Sequence, residues 1–246
     1  MSGHSKWHSI KHKKGAADAK RGRIFTRLIK EISVAARQGG GDPAMNPRLR
    51  TVIATAQAAN MPKDNITKAI QRGTGELPGV TYEEATYEGY GPGGAALLVE
   101  TVTDNKNRTV AELRHLFSKY AGNLAENGAV AWMFQRKGVI LVEKGSHSED
   151  DVLMLALDSG AEDVREVDSN FEVLTPPDKL DAVKEAFEAN NLKPASAEVQ
   201  RIAQNEVYLE RNQAQQFLKL MDALEEQEDV QKVWMNADFD SAALET

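Results

Sequence analysis

Between Gly138 and Ile202 the chain passes through six segments whose periodicity alternates in a fixed order. Gly138–Glu143 is strand-like, Ser148–Ser159 helix-like, Asp163–Val167 and Asn170–Thr175 strand-like, Pro177–Ala189 helix-like and Ala195–Ile202 strand-like. The strands show as short runs rich in Val, Ile and Phe, the helices as apolar residues recurring every three or four positions. The order β-α-β-β-α-β admits few topologies, and it predicts the ferredoxin-like arrangement for this stretch.

The flanks of that stretch are incomplete by themselves. Upstream, Ala85–Tyr90 and the run AALLVETV from Ala95 to Val102 read as a hairpin across a glycine-rich turn. A helix from Val110 to Tyr120 follows, capped by Asn107 or Thr109, with Leu113, Leu116 and Phe117 inward. Downstream, a helix over Gln213–Glu226 and a strand over Val230–Met235 supply what the upstream β-β-α piece lacks. The expectation is a discontinuous α/β domain, 79–135 plus 206–246, with a ferredoxin-like α/β domain, 136–205, inserted into it.

The amino-terminal part reads differently. Residues 1–15 mix Lys, His, Gly and Ser with too little apolar periodicity to fold alone, which predicts a flexible basic arm. From Ala17 to Arg37, Ile24, Phe25, Leu28, Ile29, Ile32 and Ala36 recur at helical spacing. Helices starting near Pro47 and Pro62 carry Leu49, Val52, Ile53 and Ala56, and Ile66, Ala69 and Ile70. Together these predict a basic three-helix domain over 16–78. The fold class is therefore α+β, an N-terminal three-helix domain followed by two ferredoxin-like α/β domains, the third inserted in the second.

Charge is distributed along the chain very unevenly. The net charge of −7 over 246 residues divides into +11 from Met1 to Gly75 and −18 from Glu76 onward. Binding depends on the local field within a Debye length of about 8 Å, so the acidic average does not argue against a polyanionic partner. On the first helix Lys20, Arg23, Arg27, Lys30 and Arg37 share one face, which predicts an exposed basic stripe opposite the apolar one. The candidate nucleic-acid contacts are Lys6, Trp7, Lys11, Lys13 and Lys14 of the arm, Lys20, Arg21, Arg23, Arg27 and Lys30 of the first helix, Arg48, Arg50, Lys63, Lys68 and Arg72 of the next two, and Asn105, Lys106 and Arg108. Trp7 adds a stacking surface. The segment Met1–Gly75 is expected to carry binding and to be removable while the acidic remainder still folds.

Other chemistry is poorly served. With no cysteine, disulfides, thiolate nucleophiles and cysteine-ligated metals are excluded and a reducing, cytoplasmic location is expected. No run approaches the 18 or so apolar residues of a membrane span, and no membrane partner is expected. Gly89-Tyr90-Gly91-Pro92-Gly93-Gly94 matches G-x-G-x-x-G in form, but a strand rather than a helix follows and Pro92 removes an amide donor, so a hairpin turn is expected. His4, His8 and His12 have helical spacing but no acidic or thiolate co-ligand, and neither a metal nor a cofactor is expected. No nucleophile elbow, His-Glu-x-x-His helix or framed carboxylate pair occurs, His115 and His147 read as structural or solvated, and the chain is not expected to be an enzyme. Asp104-Asn105-Lys106-Asn107-Arg108-Thr109 reads as a helix-capping turn, with a phosphate-contact cluster as the rival reading. The run Glu225, Glu226, Glu228 and Asp229 reads as a solvated face.

Two stretches carry a family resemblance. GHSKWHSIKHKKGAADAKRGRIFTRLIKEI resembles the amino-terminal signature of the YebC/PmpR-type proteins, and TDNKNRTVAELRHLFSKYAGNLAENGAVAWMF resembles their second signature. GYGPGGAA and the stretch from Pro62 to Gly75 match as well, and the resemblance runs through essentially the whole chain. It implies three domains, one helical and two α/β, and a DNA-binding regulator of transcription. Related mitochondrial proteins are translational activators, and bacterial members have been proposed as ribosome-associated factors that relieve stalling. Phosphate attraction has the same sign for DNA and for ribosomal RNA, so both targets stay open, as does a protein-only adaptor working through the acidic domains. The absence of an isolated recognition helix with base-reading side chains weighs against sequence-specific readout of DNA.

Overall fold

The computed structural model describes residues 17–145, 148–167 and 170–240, with side chains from Arg21 onward. The described elements are helices α1 (Ala17–Gly39), α2 (Pro47–Ala58) and α3 (Lys63–Thr74), then β1 (Glu83–Tyr90), β2 (Ala96–Thr103), α4 (Lys106–Lys119) and β3 (Asn123–Leu124). They continue with β4 (Phe134–Glu143), α5 (Glu149–Ser159), β5 (Asp163–Val167), β6 (Asn170–Thr175), α6 (Leu180–Ala189) and β7 (Pro194–Ala203). Last come β8 (Val207–Tyr208), α7 (Arg211–Glu226), β9 (Val230–Met235) and β10 (Ala237–Asp238). The fold is α+β. Trp132–Asn205 make one compact unit, and the remainder, up to Ala131 and again from Glu206, makes the other.

In the Trp132–Asn205 unit the antiparallel strand order is β5-β6-β4-β7, the ferredoxin-like order. One sheet face packs Ile140, Val142, Phe171 and Val173 against Val152 and Ala156 of α5 and Val183 and Phe187 of α6. Strand alternation puts Lys137, Val139, Leu141, Glu172, Leu174, Arg165, Glu198 and Gln200 on the other face, which carries no aromatic side chain. α5 opens with Ser148, whose hydroxyl accepts the Asp151 N–H at 3.2 Å, and closes on Gly160 at φ 101°.

The other unit holds two cores. In the first, Leu28, Ile32, Ala35 and Ala36 of α1 pack on Leu49, Val52 and Ala56 of α2 and on Ile66 and Ala69 of α3. Gly73 permits the close approach of α3 to α1, because a Cβ there would lie 2.3 Å from the Ser33 carbonyl oxygen. In the second, Leu97 and Val99 of β2 and Val233 and Met235 of β9 pack on Leu113 and Phe117 of α4 and on Phe217, Leu220 and Leu224 of α7. The sheet order is β3-β1-β2-β9. In each unit two helices pack on one face of the sheet, while the strand order differs between the two sheets. The strands β3, β8 and β10 are two residues long, too short for any periodicity to announce them.

The far face of the β1–β2–β9 sheet is not open to solvent. Its alternate positions include Leu98, Val102 and Trp234, all buried. α1 makes the contact there: Glu31 senses Lys232 and Glu100 of that face, and Arg37 Nη1 donates to the Tyr82 carbonyl at 3.1 Å. From Leu28 to Ala36 every residue of α1 is buried or half-buried, since one side of the helix meets α2 and α3 and the other meets the sheet. α1 is therefore a shared central element of this unit. The expectation that Met1–Gly75 can be cut away while the remainder still folds is corrected accordingly, because the cut would uncover the Leu98–Trp234 face.

Candidate nucleic-acid interface

The residue spacing on α1 does place Arg23, Arg27, Lys30 and Arg37 on one side of the helix, but the middle of that side is covered while Arg23 and Arg37 at its ends are exposed. Lys30 is 6% exposed. Its ammonium donates to Asp229 Oδ1 at 2.7 Å and to the Glu228 carbonyl at 3.1 Å. Arg27 is half-buried and donates to the Glu225 carbonyl. The expected exposed stripe is corrected for these two residues. Burying a charge without a partner is costly, so a basic side of a helix covered by protein calls for acceptors, and the end of α7 and the turn after it supply them. Toward the start of α1 the exposure returns: Arg21, Arg23 and Ile24 are exposed, and Arg23 faces Glu226 at 3.8 Å.

Asp229 is the centre of this network. It is 1% exposed and accepts from Lys30, from Arg108 Nη2 at 2.9 Å, from the Thr109 hydroxyl at 2.7 Å and from the Thr103 hydroxyl at 3.2 Å. Burial opposes ionisation of Asp229, but the hydrogen bonds from Lys30, Arg108 and Thr109 together outweigh it and hold the carboxyl well below the ordinary carboxylate range. The reading of the 225–229 run as a solvated face is thus corrected at Asp229. The only sequence signal for it is an acidic cluster complementary in sign to a basic helix 199 residues away.

The Asp104–Thr109 segment caps α4. Asn105 is the N-cap, and its side chain accepts the Arg108 N–H at 3.1 Å, so the cap lies two residues before Asn107 and four before Thr109. Arg108 bridges Asp104 at 2.7 Å and Asp229, and Lys106 pairs with Glu83 at 2.6 Å. The three residues meant for phosphate thus already have intramolecular roles. Asn105→Ala is expected to lower stability by about 1 kcal/mol, the usual worth of an N-cap, while leaving nucleic-acid affinity within twofold. Chemical denaturation together with a binding titration checks both, and a large loss of affinity without loss of stability would restore the contact reading.

Arg48 is likewise occupied, by Glu84 and by Gln38 Oε1 at 2.7 Å. Arg50, Lys63, Lys68 and Arg72 are exposed on α2 and α3, with no ion-pair partner among the described residues. Arg50 donates to the Pro43 carbonyl at 2.9 Å. Lys68 and Arg72 stand one helical turn apart. Lys6, Trp7, Lys11, Lys13 and Lys14 lie outside the described residues, as does His147, and of Lys20 only the helical backbone is described.

The glycine-rich turn is built for packing. Gly91 leaves room for Phe217, and Gly93, at φ 72°, sits where a Cβ would be 2.4 Å from Leu209 Cδ2. Nearby, Glu88 accepts the Gly128, Val130 and Ala131 amides at 2.7, 2.6 and 2.8 Å, which pins the segment before Trp132 to β1. His115 is exposed in an open groove between α4 and α7, with Ala111, Leu116 and Ala223.

Residues 5–76 match the family model described as the TACO1/YebC protein N-terminal domain, and residues 82–237 match the one described as the TACO1/YebC second and third domain. The chain belongs to the TACO1/YebC family. Among its TACO1/YebC relatives, a protein of Desulfosudis oleivorans is 58% identical over 245 residues, covering 100% of both chains, and bears the name "Probable transcriptional regulatory protein". One from Koribacter versatilis, similarly named, is 56% identical and covers 100% of this chain and 98% of that one. The crystal structure of a conserved hypothetical protein from Aquifex aeolicus matches this fold with a TM-score of 0.82 at 44% identity, over 93% of this chain and 95% of that one. The Desulfosudis and Koribacter relatives are thus named as probable regulators of transcription, and none of these names denotes an enzyme.

Proposed function

We propose that this TACO1/YebC-family protein regulates gene expression by binding nucleic acid through its N-terminal basic segment. The observation that carries the reading is the net charge of +11 over Met1–Gly75, of which Arg50, Lys63, Lys68 and Arg72 remain exposed after the pairing inside the fold is accounted for. Exposed cations on short helices attract phosphates and fix a protein on a polyanion. The arm residues Lys6, Trp7, Lys11, Lys13 and Lys14, with Lys20, Arg21 and Arg23, add further charge and a stacking side chain to the same binding segment in this reading. The Trp132–Asn205 unit is a poor partner for phosphate, because it holds 15 Asp and Glu against 8 Lys and Arg. The sheet face opposite its helices also lacks the aromatic platform on which sheet-based RNA binders stack bases, and Val139, Glu172, Leu174 and Gln200 on it are buried. The working division is a basic arm and helical module (1–78), a discontinuous α/β module (79–135 with 206–246) and an inserted acidic module (136–205).

The relatives' names support transcriptional control, for which the target would be DNA. A second reading, attachment to ribosomal RNA and control of translation, is favoured by one observation: the middle of α1 is packed on both sides, so it has no free face for a major groove. Exposed Lys and Arg on α2 and α3 suit phosphate contacts more than base readout. A factor that must find one site in a genome needs discrimination worth several kcal/mol, whereas a factor on an abundant folded RNA needs shape and charge. Crosslinking in cells followed by sequencing of the recovered nucleic acid separates the two. Ribosomal RNA recovered in quantity, and lost when Lys11, Lys13 and Lys14 become Glu, supports the second reading. Strong enrichment of a defined promoter instead supports the first.

A further inference from the structure

We propose that the crevice between the early turns of α1 and the turn after α7 is a seat for one backbone phosphate of the bound nucleic acid. The inference rests on the nucleic-acid reading above and narrows it to an atom-sized site. Gly22, Arg23, Thr26, Arg27 and Glu228 line a crevice of about 120 Å³. That is about four times the ~30 Å³ share of a water molecule, enough for a tetrahedral oxyanion.

Its donors are only partly used. Arg27 gives one Nη2 bond to the Glu225 carbonyl, while its Nε–H is buried and has no acceptor among the described residues. Buried donors left in this way are rare in folded proteins. Arg23 sits beside it and faces Glu226 at 3.8 Å with both side chains largely solvated, a pairing of small worth that a phosphate can displace. The Thr26 hydroxyl now bonds to the Gly22 carbonyl at 3.1 Å and is free to turn toward an anion. Burial and the like charge of Arg23 both disfavour the Arg27 cation, a strain that an anion between the two guanidinium groups relieves. Guanidinium forks suit phosphate oxygens geometrically. Glu228, exposed at the rim, works against an anion and so sets how readily the seat fills.

The test uses the full chain and two probes, a labelled DNA duplex and a labelled RNA hairpin of equal length, at near-physiological salt. Glu228→Gln is expected to tighten binding several-fold, and Arg23→Ala to weaken it roughly tenfold with a log–log salt slope smaller by about 0.7 to 0.9. Arg27→Lys is expected to weaken binding to a similar extent, with a thermal melt confirming that the fold is kept. Glu126→Gln, at an exposed acidic position elsewhere in the same unit, is expected to stay within twofold of wild type. If Glu228→Gln behaves like Glu126→Gln, or Arg23→Ala binds as wild type does, the seat is refuted while the broader reading stands. If wild type binds neither probe, both are refuted.

Discussion

Asp229→Ala is expected to destabilise the protein by about 3 to 5 kcal/mol, the usual cost of removing one partner from a buried ion pair. The loss follows from what is left behind. Lys30, 6% exposed, would keep its charge with only the Glu228 carbonyl to accept from it, and Arg108, Thr103 and Thr109 would each lose an acceptor. Urea denaturation at neutral pH reads the effect, and a loss below about 1 kcal/mol would mean that the network is a surface feature. The pH dependence has a fixed sign. The Asp229 carboxyl has a folded-state pKa below its unfolded value of about 3.9, so its stabilising contribution is complete above that value. The contribution is lost as pH falls through the folded pKa. Wild type should therefore lose stability below about pH 4 more steeply than Asp229→Asn, which has already lost it.

Replacing Arg50, Lys63, Lys68 and Arg72 together by Glu is expected to reduce nucleic-acid affinity on the order of a hundredfold, with melting temperature changed by only a few degrees. Four exposed cations become four anions, so phosphate contacts turn into repulsions, while the apolar sides of α2 and α3 still pack on α1. This variant is a cleaner test than deletion of Met1–Gly75, which would also strip α1 from the sheet. It is cleaner than reversing Arg27 and Lys30 as well, because those changes would place carboxylates beside Glu225 and Asp229. Filter binding and circular dichroism on one preparation decide it. Unchanged affinity with an intact helical signal would place the binding surface elsewhere.

The ferredoxin-like unit could be read from the chain because its strands are apolar runs of ordinary length set between helices with clear periodicity. Phe171 and Val173 on one face and Val183 and Phe187 on the facing helix are visible in the letters alone. The basic side of α1 could not be read as correctly. Periodicity tells which residues share a side of a helix, and it is silent on what lies against that side. Lys30 and Asp229 are separated by 199 positions, and neither residue type suggests burial until the partner is known. The same limit explains Asp104–Thr109, where the capping reading survives and Arg108 turns out to serve a distant carboxylate. Part of the charge asymmetry that pointed to a polyanion is therefore spent within the fold, through Lys30–Asp229 and Arg48–Glu84. What remains exposed on α2 and α3 is the smaller surface on which the functional reading stands.

That reading is tested most directly by the salt dependence of wild-type binding. Affinity for a DNA duplex and for a structured RNA, titrated from low to high salt, should fall along a straight log–log line. Four or more phosphate contacts give a slope of about −3 or steeper, and the slope should flatten markedly in the variant with Glu at positions 50, 63, 68 and 72. A flat response in wild type, or the same slope in both proteins, would contradict the assignment of the N-terminal basic segment as the nucleic-acid interface.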